Sequence, residues 1–155
     1  MEEIRFDDIE KLRAKIAGDF GPWSEPVEIT QEMINKFADI TGDHQWIHVD
    51  IERAKRESPF GGPVAHGFLT LSLLPRLSTG PGFRVVGMKA GINYGANKLR
   101  FVAPVPAGSK VHAHSRLIAV EKKGPGTQFT NETNIHIVGK DKPCVIYEGI
   151  VLYVG

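Results

Sequence analysis

Two kinds of hydrophobic pattern divide the chain. In its first half apolar residues recur at helical spacing: Ile9, Leu12 and Ile16 mark one face of a helix over Asp7 to Ala17, which Gly18 should stop. A second helix is predicted over QEMINKFADI, with Thr30 as N-cap and Ile29 and Ile34 at the positions of a hydrophobic staple. Met33, Phe37 and Ile40 continue its stripe, and Gly42 suits a left-handed C-terminal cap. A short helix follows over IERAKRE, capped by Asp50, until Ser58-Pro59 and Gly61-Gly62-Pro63 break it. In HGFLTLSLLPRL the leucines and Phe68 point in too many directions for a surface helix, so this segment should be a buried central helix that Pro75 ends or kinks.

The second half is strand-like. Lys110 to Val120, Gln128 to Val138 and Val145 to Val154 are rich in Val, Ile, Thr and Tyr and are separated by the turn sequences KKGPGT and GKDKP. They predict an antiparallel meander, with shorter strand candidates at Phe83 to Met88, Gly91 to Tyr94 and Lys98 to Val102. An enclosed helix beside a long antiparallel sheet predicts an α+β fold, a sheet wrapped around one central helix. The 155 residues fit a single domain, 1–155, in which 1–21 form an N-terminal helical extension. No internal repeat, linker or low-complexity segment interrupts it.

Charge narrows the partners. With 19 basic against 18 acidic side chains the net charge is +1, which provides no footprint for nucleic acid or an anionic membrane. The N-terminus carries alternating charges instead of a basic start and an apolar run, and no apolar stretch reaches membrane-spanning length, so a cytoplasmic protein is expected. Cys144 is the only cysteine, which excludes an intramolecular disulfide and a multi-thiolate metal site.

The candidate chemistry lies in TGDHQWIH, Thr41 to His48. His44 and His48 are spaced i, i+4, a zinc-ligand spacing on a helix, but no third ligand can be named, so no metal is expected. A structural reading has Asp43 capping the next turn and His48 in a satisfied hydrogen bond. A catalytic reading notes that the two residues lie about 140° apart on an ideal helix, so they converge only if the segment between them is irregular. PFGGPVAHG runs directly into the central helix, which should leave the N–H of Gly67 unpaired and available to a carbonyl oxygen. An acid, a base and an oxyanion donor are the parts needed to add or remove water beside a carbonyl.

TGDHQWIHVD followed by PFGGPVAHGFLTLSLLP resembles the MaoC-like dehydratase family, which includes the (R)-specific enoyl-CoA hydratases, and within it the subgroup related to nodulation protein N. INYGANKLRFVAPVPAGSKV extends the resemblance to nearly the whole chain after about Pro22. The resemblance implies a hot-dog fold, a homodimer, and an acyl-CoA or acyl-carrier thioester as substrate with no further cofactor. It also implies that Asp43 and His48 activate water while Gly67 donates to the thioester oxygen. The family often has Asn-Pro where this chain has Gln45-Trp46, so Gln45 is expected to support the loop by hydrogen bonding. A hydroxyl residue found further along the helix in some hydratases falls on Pro75, leaving Ser72 as a possible substitute. His66 is expected to orient the site, and His112, His114 and His136 to face solvent or a dimer surface. Trp46, Phe60 and Phe68 could line an acyl groove or pack in the core. Arg53, Lys55, Lys89, Lys98 and Arg100 are available for coenzyme A phosphates. Rival readings are an acyl-CoA thioesterase and a non-catalytic acyl-binding subunit of a heterodimeric dehydratase.

Overall fold

A computed structural model of the chain describes residues 1–16, 18–78 and 80–155. Its main sheet has five strands: β2 (Val27–Glu28), β4 (Ala90–Phe101), β5 (Lys110–Lys123), β6 (Gly126–Ile137) and β7 (Val145–Val154). Their spatial order is β2-β5-β6-β7-β4, and every pairing is antiparallel. The expected meander is therefore β5-β6-β7. The turn between β5 and β6 is the pair Gly124-Pro125, with Gly124 at a φ of 55°, which glycine adopts freely and proline follows with its fixed φ. The two short strand candidates at Gly91 and Lys98 are one strand, β4. Register shifts between Asn93 and Gly95 and between Ala96 and Lys98 break its pattern, so its continuity is hard to read from sequence.

Helices fill one side. α2 (Gln31–Thr41) begins where Thr30 accepts a hydrogen bond from the Met33 N–H and ends at Gly42, whose φ is 78°. Its buried residues are Ile34 and Ala38, whereas Ile40, expected on the same stripe, is 83% exposed. α3 (Trp46–Val49) and α4 (Ile51–Glu57) follow, the latter capped by Asp50 as expected.

The central helix breaks where Pro75 was expected to end or kink it, into two short helices, α5 (Gly67–Ser72) and α6 (Leu74–Leu77), joined at Leu73; its burial on all sides is what is corrected. Pro75 lacks the N–H that would bond the Leu71 carbonyl, and its ring crowds that carbonyl, so the helix cannot run straight through. Leu69, Thr70, Leu73 and Leu77 are buried, but Phe68 is 61% exposed, so the segment is enclosed on one side only. The main core joins this face to Ile34, Val111, Ala113, Ile135 and Val145.

The N-terminal extension is also corrected: it is not simply helical. Ile4 and Phe6 are buried on either side of exposed Arg5, the alternation of a strand, and β1 (Glu3–Arg5) pairs in parallel with β3 (Arg84–Val86). The helix that follows, α1, spans only Ile9–Arg13, and Ala17, given as its end, lies outside the described residues. This extension forms a second apolar cluster with Leu12, Leu117, Val120 and Phe129. Between it and β2 the chain runs as an extended strap beside β5, through Gly21 N–H to the Ser115 carbonyl (2.9 Å) and Ser24 N–H to the Ala113 carbonyl (2.8 Å).

The strap revises the reading of three histidines. His112, His114 and His136 do not simply face solvent. Trp23 stacks on His112 and His114 with centroids 4.0 and 3.8 Å apart, Phe20 stacks on His114, and His136 is buried against the Trp23 edge.

Candidate active site

Gly42 ends α2 and α3 does not begin until Trp46, so residues 43–45 form the irregular link that convergence of Asp43 and His48 requires. Within it the Asp43 N–H donates to the Thr41 hydroxyl oxygen (3.3 Å), and Asp43 Oδ1 accepts from the Gln45 N–H (3.3 Å). Gln45 thus supports the acid through its backbone. Gln31, which sequence reasoning missed, ties α3 to α2 by donating from Nε2 to the His48 carbonyl at 2.8 Å. No spacing rule points to it; only the folded contact does.

His48 is buried, and its Nδ1 lies 2.6 Å from the Val64 carbonyl. A carbonyl can only accept, so Nδ1 carries the hydrogen and Nε2 presents a lone pair. Burial, the largest influence, and the neighbouring His66 push the His48 pKa down, against the opposing Val64 bond and Asp43 charge. The side chain is therefore a neutral base at neutral pH. The orienting group, being a backbone carbonyl, left no mark in the sequence.

His66 is also buried. Its Nε2 donates to the Asp43 carbonyl (3.0 Å) and lies 4.0 Å from Asp43 Oδ2, and its ring stacks on His48 at 3.9 Å. Its Nδ1 has no hydrogen-bond partner among the described residues. His66 therefore links the Asp43 backbone to the His48 ring.

The acid and both rings bring ligand-capable atoms within 4.8 Å of one another. That grouping differs from the His44/His48 pair considered for a metal: His44 is exposed and bound to Asp39 at 2.9 Å, which raises its pKa. The two rings are stacked 25° from parallel, and His66 Nε2 is already engaged by the Asp43 carbonyl, so a cation bound through that atom would displace an existing hydrogen bond.

Gly67 opens α5, and its N–H has no acceptor among the described backbone groups. The Phe101 ring covers its α-carbon so closely that a Cβ there would lie 2.8 Å from ring atoms, which explains the glycine. Phe101 in turn meets Phe68 edge-to-face at 5.3 Å. Ser72 is not brought to the acid: its hydroxyl donates to the Phe68 carbonyl at 2.6 Å within its own helix, so the substitute role considered for it is not supported. Phe60 and Phe68 are exposed, whereas Trp46 is half-buried beneath Arg53.

A family model described as the MaoC like domain matches residues 21–140, a span that holds Asp43, His48, His66 and Gly67. The chain belongs to the MaoC-like dehydratase family. Its fold is the hot-dog, and its class is that of the hydratase and dehydratase enzymes. A relative named 3-hydroxyacyl-thioester dehydratase Z from Mycobacterium tuberculosis is 53% identical over 96% of this chain and 97% of its own. Nodulation protein N of Rhizobium meliloti is 51% identical over 98% of this chain and 92% of its own. Among solved structures, an (R)-hydratase from A. caviae involved in PHA biosynthesis superposes with a TM-score of 0.68 at 26% identity, covering 86% of this chain and 95% of that one. For this MaoC-like chain, no helix among the described residues is long and apolar enough to cross a membrane.

Proposed function

We propose that the protein catalyses the reversible hydration of trans-2-enoyl thioesters to (R)-3-hydroxyacyl thioesters. The observation that carries this reading is the neutral His48, whose Nδ1–H is held by the Val64 carbonyl and whose ring brings a nitrogen within 4.8 Å of the Asp43 carboxylate. In the forward direction Asp43 and His48 hold one water between them. As its oxygen bonds to C3 they accept one proton, and a proton is delivered to C2, so the elements of water add across the double bond. Gly67 N–H donates to the thioester oxygen while negative charge develops there. The hydratase and dehydratase names of the relatives support the reaction type, and the A. caviae name supports the (R) product.

A homodimer fits the surface. β4 is an edge strand, exposed along nearly its whole length, and carries Ile92, Tyr94 and Phe101. Of the five cations considered for coenzyme A phosphates, Lys89, Lys98 and Arg100 form no ion pair among the described residues, whereas Arg53 and Lys55 are paired with Glu57 and Glu52.

The test is crotonyl-CoA turnover followed by loss of enoyl absorbance and, separately, by thiol release. Enoyl loss without thiol release is expected, and Asp43→Asn should lower it about 10²- to 10⁴-fold. Thiol release would make the protein a thioesterase, and an Asp43→Asn enzyme with wild-type turnover would sink the mechanism.

A further inference from the structure

The inner face of the sheet is not apolar throughout. β6 turns Phe129, Asn131, Thr133 and Ile135 inward in alternation; the ends of this row join the two apolar clusters, and its middle is polar. Register carries the break across the sheet. Thr133 lies opposite Ser115 on β5 and Tyr147 on β7, while Asn131 lies opposite Gly149. Gly149 leaves room for the Tyr147 ring, since a Cβ there would collide with it.

A cavity of about 760 Å³ stands over this polar band. Leu71, Ser72 and Pro75 of α5 and α6 wall one side, and Phe20 and Pro22 of the strap border another. The broken helix is too short to fill the space. Thr133 satisfies its hydroxyl on Ser115 at 2.7 Å, whereas the Asn131 amide and the Tyr147 hydroxyl open into the cavity without a side-chain partner among the described residues. A polar group at an inward sheet position costs stability unless something bonds it.

The cavity's cations are already neutralised. Lys15 is paired with Glu2 at 2.6 Å, and Arg116 with Glu132 at 2.6 Å. Among the charged lining residues Asp19 alone forms no ion pair with a described residue; the band itself, Asn131, Thr133 and Tyr147, is a neutral donor and acceptor set. Asp43, His48 and Gly67 are not in the lining, but Ser72 is, five residues along α5 from Gly67, or about 7.5 Å of helix. Gly67 itself lines a neighbouring cavity of about 310 Å³ with Phe60, Thr70 and Phe101, so a thioester held there would have to run along α5 past Ser72 and would meet the band only with its tail.

We infer that this chamber selects enoyl thioesters whose tail carries a neutral oxygen, a hydroxyl or keto group, well beyond the reacting double bond, and that Asn131 and Tyr147 bind it. The inference rests on the hydration reading of the Asp43–His48 site. Its test is kept separate from turnover by using unreactive saturated ligands: decanoyl-CoA and a decanoyl-CoA hydroxylated near its far end, titrated calorimetrically. The hydroxylated ligand should bind about three- to tenfold more tightly, the ratio that one or two net hydrogen bonds supply. Asn131→Leu should reverse that preference, and Tyr147→Phe, which removes a single oxygen, should shrink it. Equal binding of the two ligands by the wild type, or an unchanged ratio in both variants, would overturn the inference. Crotonyl-CoA, too short to reach the band, reports on hydration alone: its turnover should survive both variants. Loss of that turnover in the wild type would refute the reaction while leaving the tail preference to be judged on binding.

Discussion

Replacing Gly67 with alanine sets two opposing effects against each other. Gly67 does not have a positive φ, so alanine meets no backbone penalty, and removing a helical glycine gains about 0.5–1 kcal/mol. Against this, the new methyl would stand 2.8 Å from Cγ and Cδ1 of Phe101 and 2.9 Å from Cε1, where ordinary contact begins at 3.4 Å, a shortfall of 3.4 − 2.8 = 0.6 Å. Cγ is near the ring's root, so side-chain flexibility alone relieves little of it, and overpacking of this kind costs about 1–3 kcal/mol. The clash outweighs the gain, and the start of α5 or the Phe101 ring must move. If the Gly67 N–H holds the thioester oxygen, that displacement should lower kcat about 10²- to 10³-fold, the usual cost of losing one oxyanion donor. Enoyl-CoA hydration kinetics measure the first effect and thermal unfolding the second. Phe101→Ala added to Gly67→Ala should restore much of kcat, because it removes Cγ, Cδ1 and Cε1, the atoms in conflict. A Gly67→Ala enzyme with wild-type kcat and a raised melting temperature would refute the reasoning.

The pH dependence of kcat/KM should show its acid limb below about 6.5, the ordinary histidine value, because burial holds His48 neutral; a limb above 6.5 would contradict the base assigned. Stability should decline over the same range. Burial lowers the pKa of His48, His112 and His114, so the unfolded chain takes up protons near pH 6.5 that the native state refuses; the stabilisation is complete above that value and is lost as pH falls through the native pKa values. His44, raised by Asp39, runs the opposite way but is alone, and His114→Phe should flatten the slope of denaturation midpoint against pH between 7.5 and 5.5. Cys144 is buried and its thiol is pushed up to about 11, so a thiol reagent at pH 8 should label it only after unfolding.

The parts of the fold carried by local chemistry were legible. Thr30, Gly42 and Asp50 cap the helices as their side chains or backbone freedom require, and the three long strands stand where β-branched residues cluster between turns. The cluster of Asp43, His48 and His66 was legible, because two short motifs hold all three, and the second motif also holds Gly67 at the start of α5. The cluster's supports were not: the Val64 carbonyl and Gln31 act through contacts 16 and 17 residues away along the chain, and a backbone carbonyl has no residue type. The N-terminal strand was hidden because helical spacing at Ile9 and Leu12 drew the eye past Ile4 and Phe6, whose burial depends on β3 some eighty positions later. Ser72 shows the reverse failure: a hydroxyl at a suggestive position that is satisfied by its own helix.

The strap and β2 carry a consequence for how the molecule is made. Val27 pairs with Val111, so 111 − 27 = 84 residues must be synthesised before that contact can form, roughly 4–17 s at ribosomal rates. Through that interval Trp23 and Phe20 have no sheet to lie against, while α2 can already close its caps and β1 can meet β3 once Val86 is made. Nascent chains should therefore expose an adhesive N-terminus until β5 emerges, and refolding from denaturant should be slowed by the same long-range closures. A permuted chain that begins at β3 and returns residues 1–28 after β7 would place the strap's partners ahead of it in time, turning the last contact to form into one whose template is waiting.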